Sequence, residues 1–242
     1  SRNDIVDVIV VGAGNAACCA ALAARETGAS VVMLEAAPKD DAGGNSRYTG
    51  GLMRVVYNDV EDLAQLIPDL TEDEKRTHDY GSYTSDAYFD DMGRITQYRC
   101  DPELTEILIN RSFDTLVWLR KKGVKFQPSY GRQSYKVDGG ARYKFWGGLV
   151  AETWGGGQGL VANEHAACER EGVVIHYETP ATGLLLDEDG RVSGVRAKRQ
   201  GRSVEMRARS VVLACGWFES DAEMRARDLG QGWGLAKVGG TR

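Results

Sequence analysis

A short apolar segment, a glycine turn and a small-residue helix open this chain, and a second apolar segment with an acid at its end follows. Val6–Val11 leads directly into Gly12-Ala13-Gly14. Gly28 ends the helical pattern, and Val31–Leu34 leads into Glu35. This order predicts a strand, a tight turn, a helix and a parallel strand, the βαβ unit typical of dinucleotide-binding folds.

The glycine turn and the acid indicate the ligand. Gly12 permits the sharp turn, and Gly14, which lacks a Cβ, lets a pyrophosphate approach the backbone. The N–H groups and helix dipole at Asn15 and Ala16 favour its negative charge. Glu35, about twenty residues after Gly14, is spaced to accept hydrogen bonds from ribose hydroxyls. The alternative, an ordinary parallel βαβ unit, gives Glu35 no role.

A second glycine-rich segment, Gly43–Gly51, follows this unit. It contains four glycines and several polar side chains, a composition that disfavours both helix and strand. We expect a loop that cradles a polar ligand through its backbone. A flexible linker is the alternative, but a linker would be richer in Ser and poorer in Arg and Tyr.

The middle of the chain shows fewer signs of chemistry. An irregular helical excursion is predicted at about 53–96, where Thr71 starts a helix as its N-cap. A packing helix is predicted from Pro102 to the cationic turn before Gly123. Val124–Thr153 is rich in aromatic and basic residues and predicts a loose hairpin, a wall beside an anionic substrate or a cofactor ring.

The last third alternates helix and strand again. A helix over Leu160–Arg170 and a strand over Val173–Ile175 are predicted. Turn residues then separate the strands of a three-stranded antiparallel meander, at Leu184–Leu186, Val192–Ala197 and Ser203–Met206. A final buried parallel strand is predicted over Ser210–Gly216. A short helix over Ser220–Arg227 and a glycine-rich tail over Gly230–Gly240 follow. The fold class is therefore α/β, with a Rossmann-like parallel sheet, flanking helices and the meander.

Composition excludes several classes of function. The net charge of −5 argues against nucleic acid as a partner. No apolar run approaches the ~20 residues that span a bilayer, and we expect no signal peptide before the first strand. The cysteines lack metal-ligand spacing, so we expect no metal and a reduced, cytoplasmic setting. Each lone histidine, at His78, His165 and His176, is expected to be structural or on the surface.

The order of these pieces resembles the flavoprotein family of fumarate reductases and succinate dehydrogenases, which also includes ketosteroid dehydrogenases. The matching segments are Val10–Ala17, Glu35, Gly43–Gly51, Gly155–Leu160, the meander and Val211–Phe218. The amino-acid sequence of Asn45–Gly51 is most similar to the corresponding segment of tricarballylate dehydrogenases. The resemblance implies one FAD-binding domain over 1–242, corresponding to the N-terminal portion of such enzymes, without their capping domain and C-terminal return.

The resemblance also implies where FAD would bind. The pyrophosphate would lie against the first turn, and Glu35 would hold the adenosine ribose. The flavin end would meet the second glycine segment, Ala181 would contact the adenine, and the end of the last strand would pass the middle of the cofactor. The implied cofactor-binding residues are Gly12, Gly14, Asn15, Ala16, Glu35, Ala36, Gly44, Asn45, Ser46, Thr49, Gly50, Gly51, Ala181, Ala214, Cys215 and Gly216.

The sequence departs from the family pattern at two places that bear on how FAD would bind. Succinate dehydrogenases attach FAD to a histidine in the second glycine loop, but Asn45 lies near that place and Gly43–Gly51 has no histidine. We therefore expect non-covalent FAD. Gly216 is followed by Trp217-Phe218 where the family commonly has Gly-Gly-Phe, which puts close backbone approach there in question.

The implied activity is hydride transfer between flavin N5 and a carbon next to a carboxylate in a small di- or tricarboxylic acid. An iron–sulfur or haem membrane partner would exchange electrons with the flavin. The catalytic residues of the family lie in later segments, so none is assigned, and the 242-residue chain alone is expected to be inactive. A ketosteroid-type flavin dehydrogenase and a non-catalytic nucleotide-binding fragment remain alternatives.

Overall fold

The computed structural model describes residues 5–237. Its elements are β1 (Val6–Val11), α1 (Asn15–Glu26), β2 (Val31–Leu34), α2 (Gly44–Tyr48), β3 (Leu52–Met53), α3 (Val60–Leu66), α4 (Glu72–Thr77), α5 (Ser85–Thr96), α6 (Pro102–Lys121), β4 (Phe126–Pro128), β5 (Ser134–Val137), β6 (Arg142–Phe145), β7 (Ala151–Thr153), α7 (Gly156–Arg170), β8 (Val174–His176), β9 (Ala181–Leu186), β10 (Val192–Arg199), β11 (Arg202–Leu213) and α8 (Ala222–Leu229). The mixed α/β class is confirmed.

The chain divides into two compact units. The first contains residues 1–49 and 160–242, and the second contains residues 50–159. The assignment of 1–242 to one FAD-binding domain stays a prediction.

A six-stranded sheet in the order β8-β2-β1-β11-β10-β9 forms the centre of the first unit. The first four strands are parallel, and β10 pairs antiparallel with both β11 and β9. One face buries Ile9, Val32 and Val195 together. Helix α1 buries small residues, among them Ala17 and Ala21, and a helix with small buried side chains can pack closely on a sheet.

Strand β11 corrects the prediction of two separate strands at Ser203–Met206 and Ser210–Gly216, and it ends before Ala214. It is continuous over Arg202–Leu213. Its first half pairs antiparallel with β10, from Arg202 to Arg207, and its second half pairs parallel with β1 as far as Leu213. One strand can serve both partners because each half pairs along a different edge, so the meander continues the main sheet.

The segment Gly43–Gly51 also differs from the expected loop, because α2 occupies Gly44–Tyr48. Gly43 precedes it with φ of 112°, a left-handed conformation that favours glycine. The glycines lie at the ends of this segment, so Asn45, Ser46 and Arg47 can complete a helical turn between them.

The second unit contains a three-stranded sheet, β3-β7-β4, and the β5–β6 hairpin. Its helices confirm two predicted starts: Thr71 as the N-cap of α4, and Pro102 at the beginning of α6. The structure adds that Asp101 is the N-cap of α6 and accepts from Leu104 N–H. The hairpin predicted within Val124–Thr153 is present. The predicted tail over Gly230–Gly240 contains a 3₁₀ turn at Trp233–Leu235, and its last residues lie outside the described part.

Candidate functional site

The turn between β1 and α1 closes against the end of β11. Gly12 has φ of 110°, and a Cβ at this position would clash with the carbonyl group of Ala214. The Gly12 N–H donates to Leu34 O at 2.8 Å, and the Ala214 N–H donates to Val11 O at 2.9 Å. Three chain segments therefore meet where only glycine fits.

The amino terminus of α1 is well suited to an anion. Asn15 N–H donates to Ser46 Oγ at 3.0 Å, and Cys18 N–H donates to Gly14 O. Within residues 5–237, the N–H groups of Ala16 and Ala17 have no protein partner. The first turn carries no acidic residue. Free N–H groups and the positive end of the helix dipole together favour a phosphate.

Glu35 lies at the carboxyl end of β2 and is 8% exposed. Its Oε1 accepts from Ala37 N–H at 2.9 Å, and its backbone N–H donates to His176 O at 2.9 Å. These contacts fix the carboxylate at the wall of a groove, where an acid can accept hydrogen bonds from sugar hydroxyls.

A groove of about 760 Å³ within the first unit collects most of the predicted residues, a volume in the usual range for cofactor sites. The predicted residues that line it are Gly12, Gly14, Asn15, Ala16, Glu35, Ala36, Gly44, Asn45, Ser46, Ala181, Ala214, Cys215 and Gly216. Thr49 is not part of this lining, and Gly50 and Gly51 belong to the second unit. That any of these residues binds FAD stays a prediction.

Sequence reasoning missed several lining residues. Pro180, Gly183 and Leu184 join Ala181 at one end, and Trp217, Glu219 and Ser220 follow Gly216 at the other. Asn45 Nδ2 donates to Glu219 Oε1, and the exposed Trp217 ring stacks on Phe218 at 5.2 Å. Trp217 therefore lines the groove with a side chain where the family pattern has glycine.

Helix α7 buries two neighbouring polar side chains, His165 and Glu164. His165, 8% exposed, places Nε2 2.7 Å from the Ala13 carbonyl oxygen, which fits the expected structural role. Glu164 is fully buried, and neither carboxyl oxygen has a hydrogen-bond partner within the described residues. Burial raises the pKa of Glu164 to about 8. An acidic residue inside an otherwise apolar helical pattern is the sequence signal that could have drawn attention to Glu164.

The groove brings together three features that suit a dinucleotide. It presents free helix N–H groups for a diphosphate, a carboxylate for a ribose, and glycines that leave the backbone accessible. The family profile of the FAD binding domain matches residues 7–237. The chain belongs to the FAD binding domain family. FAD is therefore its cofactor.

Relatives of this FAD binding domain support the resemblance to fumarate reductase flavoproteins. A urocanate reductase from Eggerthella lenta is 30% identical over 232 residues, covering 92% of this chain and 33% of the relative. An open flavocytochrome c3 fumarate reductase structure has a TM-score of 0.69 and 26% identity, covering 92% of this chain and 36% of that one.

A 3-ketosteroid-Δ4-(5α)-dehydrogenase from Rhodococcus jostii RHA1 shares the fold, with a TM-score of 0.71 and 23% identity, covering 94% of this chain and 49% of that one. The FAD binding domain spans about a third of the length of the curated relatives it matches.

Two kinds of feature are absent from residues 5–237. No three His, Cys, Asp or Glu side chains gather there as a metal site. None of the helices in this range has the length and apolarity to cross a bilayer.

Proposed function

We propose that this chain is the FAD-binding part of an oxidoreductase that acts on a small unsaturated carboxylic acid or its saturated product. The observation that carries the proposal is the groove, in which the α1 amino terminus, Glu35 and the end of β11 line one continuous cavity. Family membership supplies the cofactor. The names of the urocanate and fumarate reductases support the class of substrate.

The residues of the first unit have binding tasks in this proposal. The N–H groups at Ala16 and Ala17 would hold the diphosphate, Glu35 the adenosine ribose, and Ala181 the adenine side. Asn45, Ser46, Thr49, Gly50 and Gly51 would meet the flavin end. FAD supplies two-electron hydride transfer at N5, while the protein orients the ring and excludes water.

We further propose that FAD binds without a covalent bond. Residues 43–51 contain no histidine and no cysteine, so the second glycine segment offers neither an imidazole nor a thiolate to bond the flavin. An iron–sulfur or haem electron-transfer partner is also proposed, and the name of one relative, fumarate reductase (cytochrome), supports the haem alternative.

The test uses the full-length protein. Its visible spectrum is recorded before and after acid precipitation, and yellow flavin in the supernatant is the expected result. Flavin in the pellet would contradict the non-covalent proposal, and a colourless protein that binds NAD but not FAD would contradict the flavin function.

A variant then tests the placement of the site. Gly14→Val should lower FAD occupancy, because a Cβ there already lies 3.1 Å from Gly43 O and 3.2 Å from Ser46 Oγ. Gly232→Val is the matched control, since a Cβ there meets nothing within 4 Å. Equal FAD occupancy in the two variants would contradict the placement.

A further inference from the structure

A large aromatic side chain on the wall of the groove packs on little of the protein. Trp217 lines the groove and is 75% exposed, although Trp is among the side chains with the most apolar area to bury. Its ring stacks on Phe218, with 5.2 Å between the ring centroids and 29° between the planes. Most of the indole surface is therefore free to contact a ligand in the groove.

Hydrogen bonds hold the backbone that follows this indole. Asp221 N–H donates to Phe218 O at 2.9 Å, and the buried guanidinium of Arg225 donates to Glu219 O. Trp217 thus precedes a turn that is fixed at two successive carbonyl groups. A ring that stacks on a side chain held in this way loses little affinity to the ordering of the protein.

Exposure alone does not single out Trp217. Isolated apolar side chains are common on protein surfaces, and Trp233 and Leu235 in the same unit are also exposed. Neither of these two lines the groove, whereas Trp217 does. Trp217 also stands where related flavoproteins commonly have glycine, directly after Gly216. The indole therefore gives this groove an aromatic surface that a glycine at the same position would not provide.

The register of the sheet separates Trp217 from the residue proposed for the adenine. Ala181 pairs with Ala197, and Ala197 pairs with Val204 on β11. From Val204 to its end at Leu213, β11 extends up to about 30 Å at ~3.3 Å per residue. Trp217 follows that end, so the indole and Ala181 belong to opposite ends of the strand.

A contact with α2 associates Trp217 with the flavin end instead. Asn45 Nδ2 donates to Glu219 Oε1, and Asn45 and Glu219 both line the groove. Asn45 belongs to the segment proposed to meet the flavin, and Glu219 follows Trp217 closely in the chain. The planar group of FAD at this end is the isoalloxazine, whose ring face is large enough to cover an indole.

We propose that Trp217 stacks on the isoalloxazine ring of FAD and so helps to retain a cofactor that no covalent bond holds. This rests on the proposed function, which places the flavin at the Asn45 end of the groove. Aromatic rings gain from offset stacking beyond the area that they bury. The stacked indole also removes water from one face of the flavin, which adds the hydrophobic contribution of both rings.

The experiment titrates the full-length apoprotein with FAD by isothermal titration calorimetry and then compares the fluorescence of the bound flavin at equal occupancy. A stacked indole quenches this fluorescence, because it donates an electron to the excited flavin and then recovers it, with no net reaction. Trp217→Ala should weaken FAD binding by ~3- to 10-fold and brighten the flavin. Trp217→Phe keeps a ring that stacks but donates electrons poorly, so it should keep most of the affinity and still brighten the flavin.

Trp233→Ala is the matched control, since it removes an exposed indole outside the groove of the same unit. It should leave FAD affinity and flavin fluorescence as in the parent. FMN and ADP, titrated separately, distinguish the flavin from the adenine, because each contains one of the two rings. Trp217→Ala should weaken FMN binding and leave ADP binding unchanged.

The inference is overturned if Trp217→Ala matches Trp233→Ala, if neither Trp217 variant brightens the flavin, or if Trp217→Ala weakens ADP binding instead of FMN binding. In each of these cases the parent still binds FAD, so the proposed function stands. A parent protein that binds no FAD would overturn the proposed function and this inference together.

Discussion

His165 Nε2 lies 2.7 Å from the carbonyl oxygen of Ala13, although 152 positions separate the two residues in sequence. Ala13 sits between the two glycines of the β1–α1 turn, and it is 1% exposed. The histidine on α7 thus satisfies a buried carbonyl group in the turn proposed to hold the diphosphate. An unpaired buried carbonyl costs roughly 1–3 kcal/mol.

Substitution of His165 by Leu is expected to weaken FAD binding by about tenfold and to lower the melting temperature, because Ala13 O loses its short hydrogen bond and keeps only the weak Cys18 thiol donor at 3.7 Å. His165→Gln keeps a side-chain N–H and should recover part of both losses. FAD titration and thermal unfolding provide the measurements. Identical behaviour of the Leu and Gln variants would show that packing, and not the hydrogen bond, is the contribution of His165.

Gly12 and Gly28 form a matched pair of glycines. Both have positive φ, at 110° and 82°, but only Gly12 faces a neighbouring carbonyl where a Cβ would be. Gly28→Ala should lower the free energy of unfolding by about 1 kcal/mol, because it introduces backbone strain and no clash. Gly12→Ala should cost clearly more, because Ala214 must also move. Urea unfolding of both variants measures the difference, and equal costs would refute the close contact.

Glu164 should make stability fall as pH rises. Its pKa is raised from 4.5 to about 8 by burial, so the folded state binds a proton that the unfolded state releases above pH 4.5. The free energy of unfolding should therefore decrease by ~1.4 kcal/mol per pH unit from about pH 4.5 to about pH 8 and then level off.

Glu164→Leu tests the origin of that slope. Leucine has no proton to lose and suits a fully buried helix position, so this component of the slope should vanish, and the variant should exceed the parent in stability at pH 8. Denaturant unfolding at several pH values is the measurement. Glu188→Gln, in an exposed turn, should leave the slope intact, and a slope unchanged in Glu164→Leu would exclude this residue as its source.

Glu35→Ala should weaken FAD binding by ~10- to 100-fold, because a carboxylate that accepts from ribose hydroxyls is lost. Glu35→Gln keeps a side-chain oxygen that can accept from Ala37 N–H, so the stability of this variant should stay close to that of the parent protein. Its affinity for FAD should still fall. Fluorescence titration of the apoprotein with FAD gives the affinity. Normal affinity in both variants would remove Glu35 from the site.

Sequence alone determined the parts of this protein that depend on neighbouring residues. The β1–turn–α1–β2 order, the position of Glu35 at the end of β2 and the helix starts at Thr71 and Pro102 were predicted correctly, because hydrophobic periodicity, glycine sterics and capping act over a few residues. The family resemblance extended this local pattern to FAD, since the second glycine segment and the meander recur in a fixed order.

Tertiary structure decided what depends on distant partners. The continuity of β11 follows from pairing with β10 on one edge and β1 on the other. The bond from His165 to Ala13, the packing of Arg132 on Gly50 and the burial of Glu164 likewise join or enclose residues far apart in the chain. Such contacts depend on how the sheet and helices pack, and no local pattern of residues encodes them.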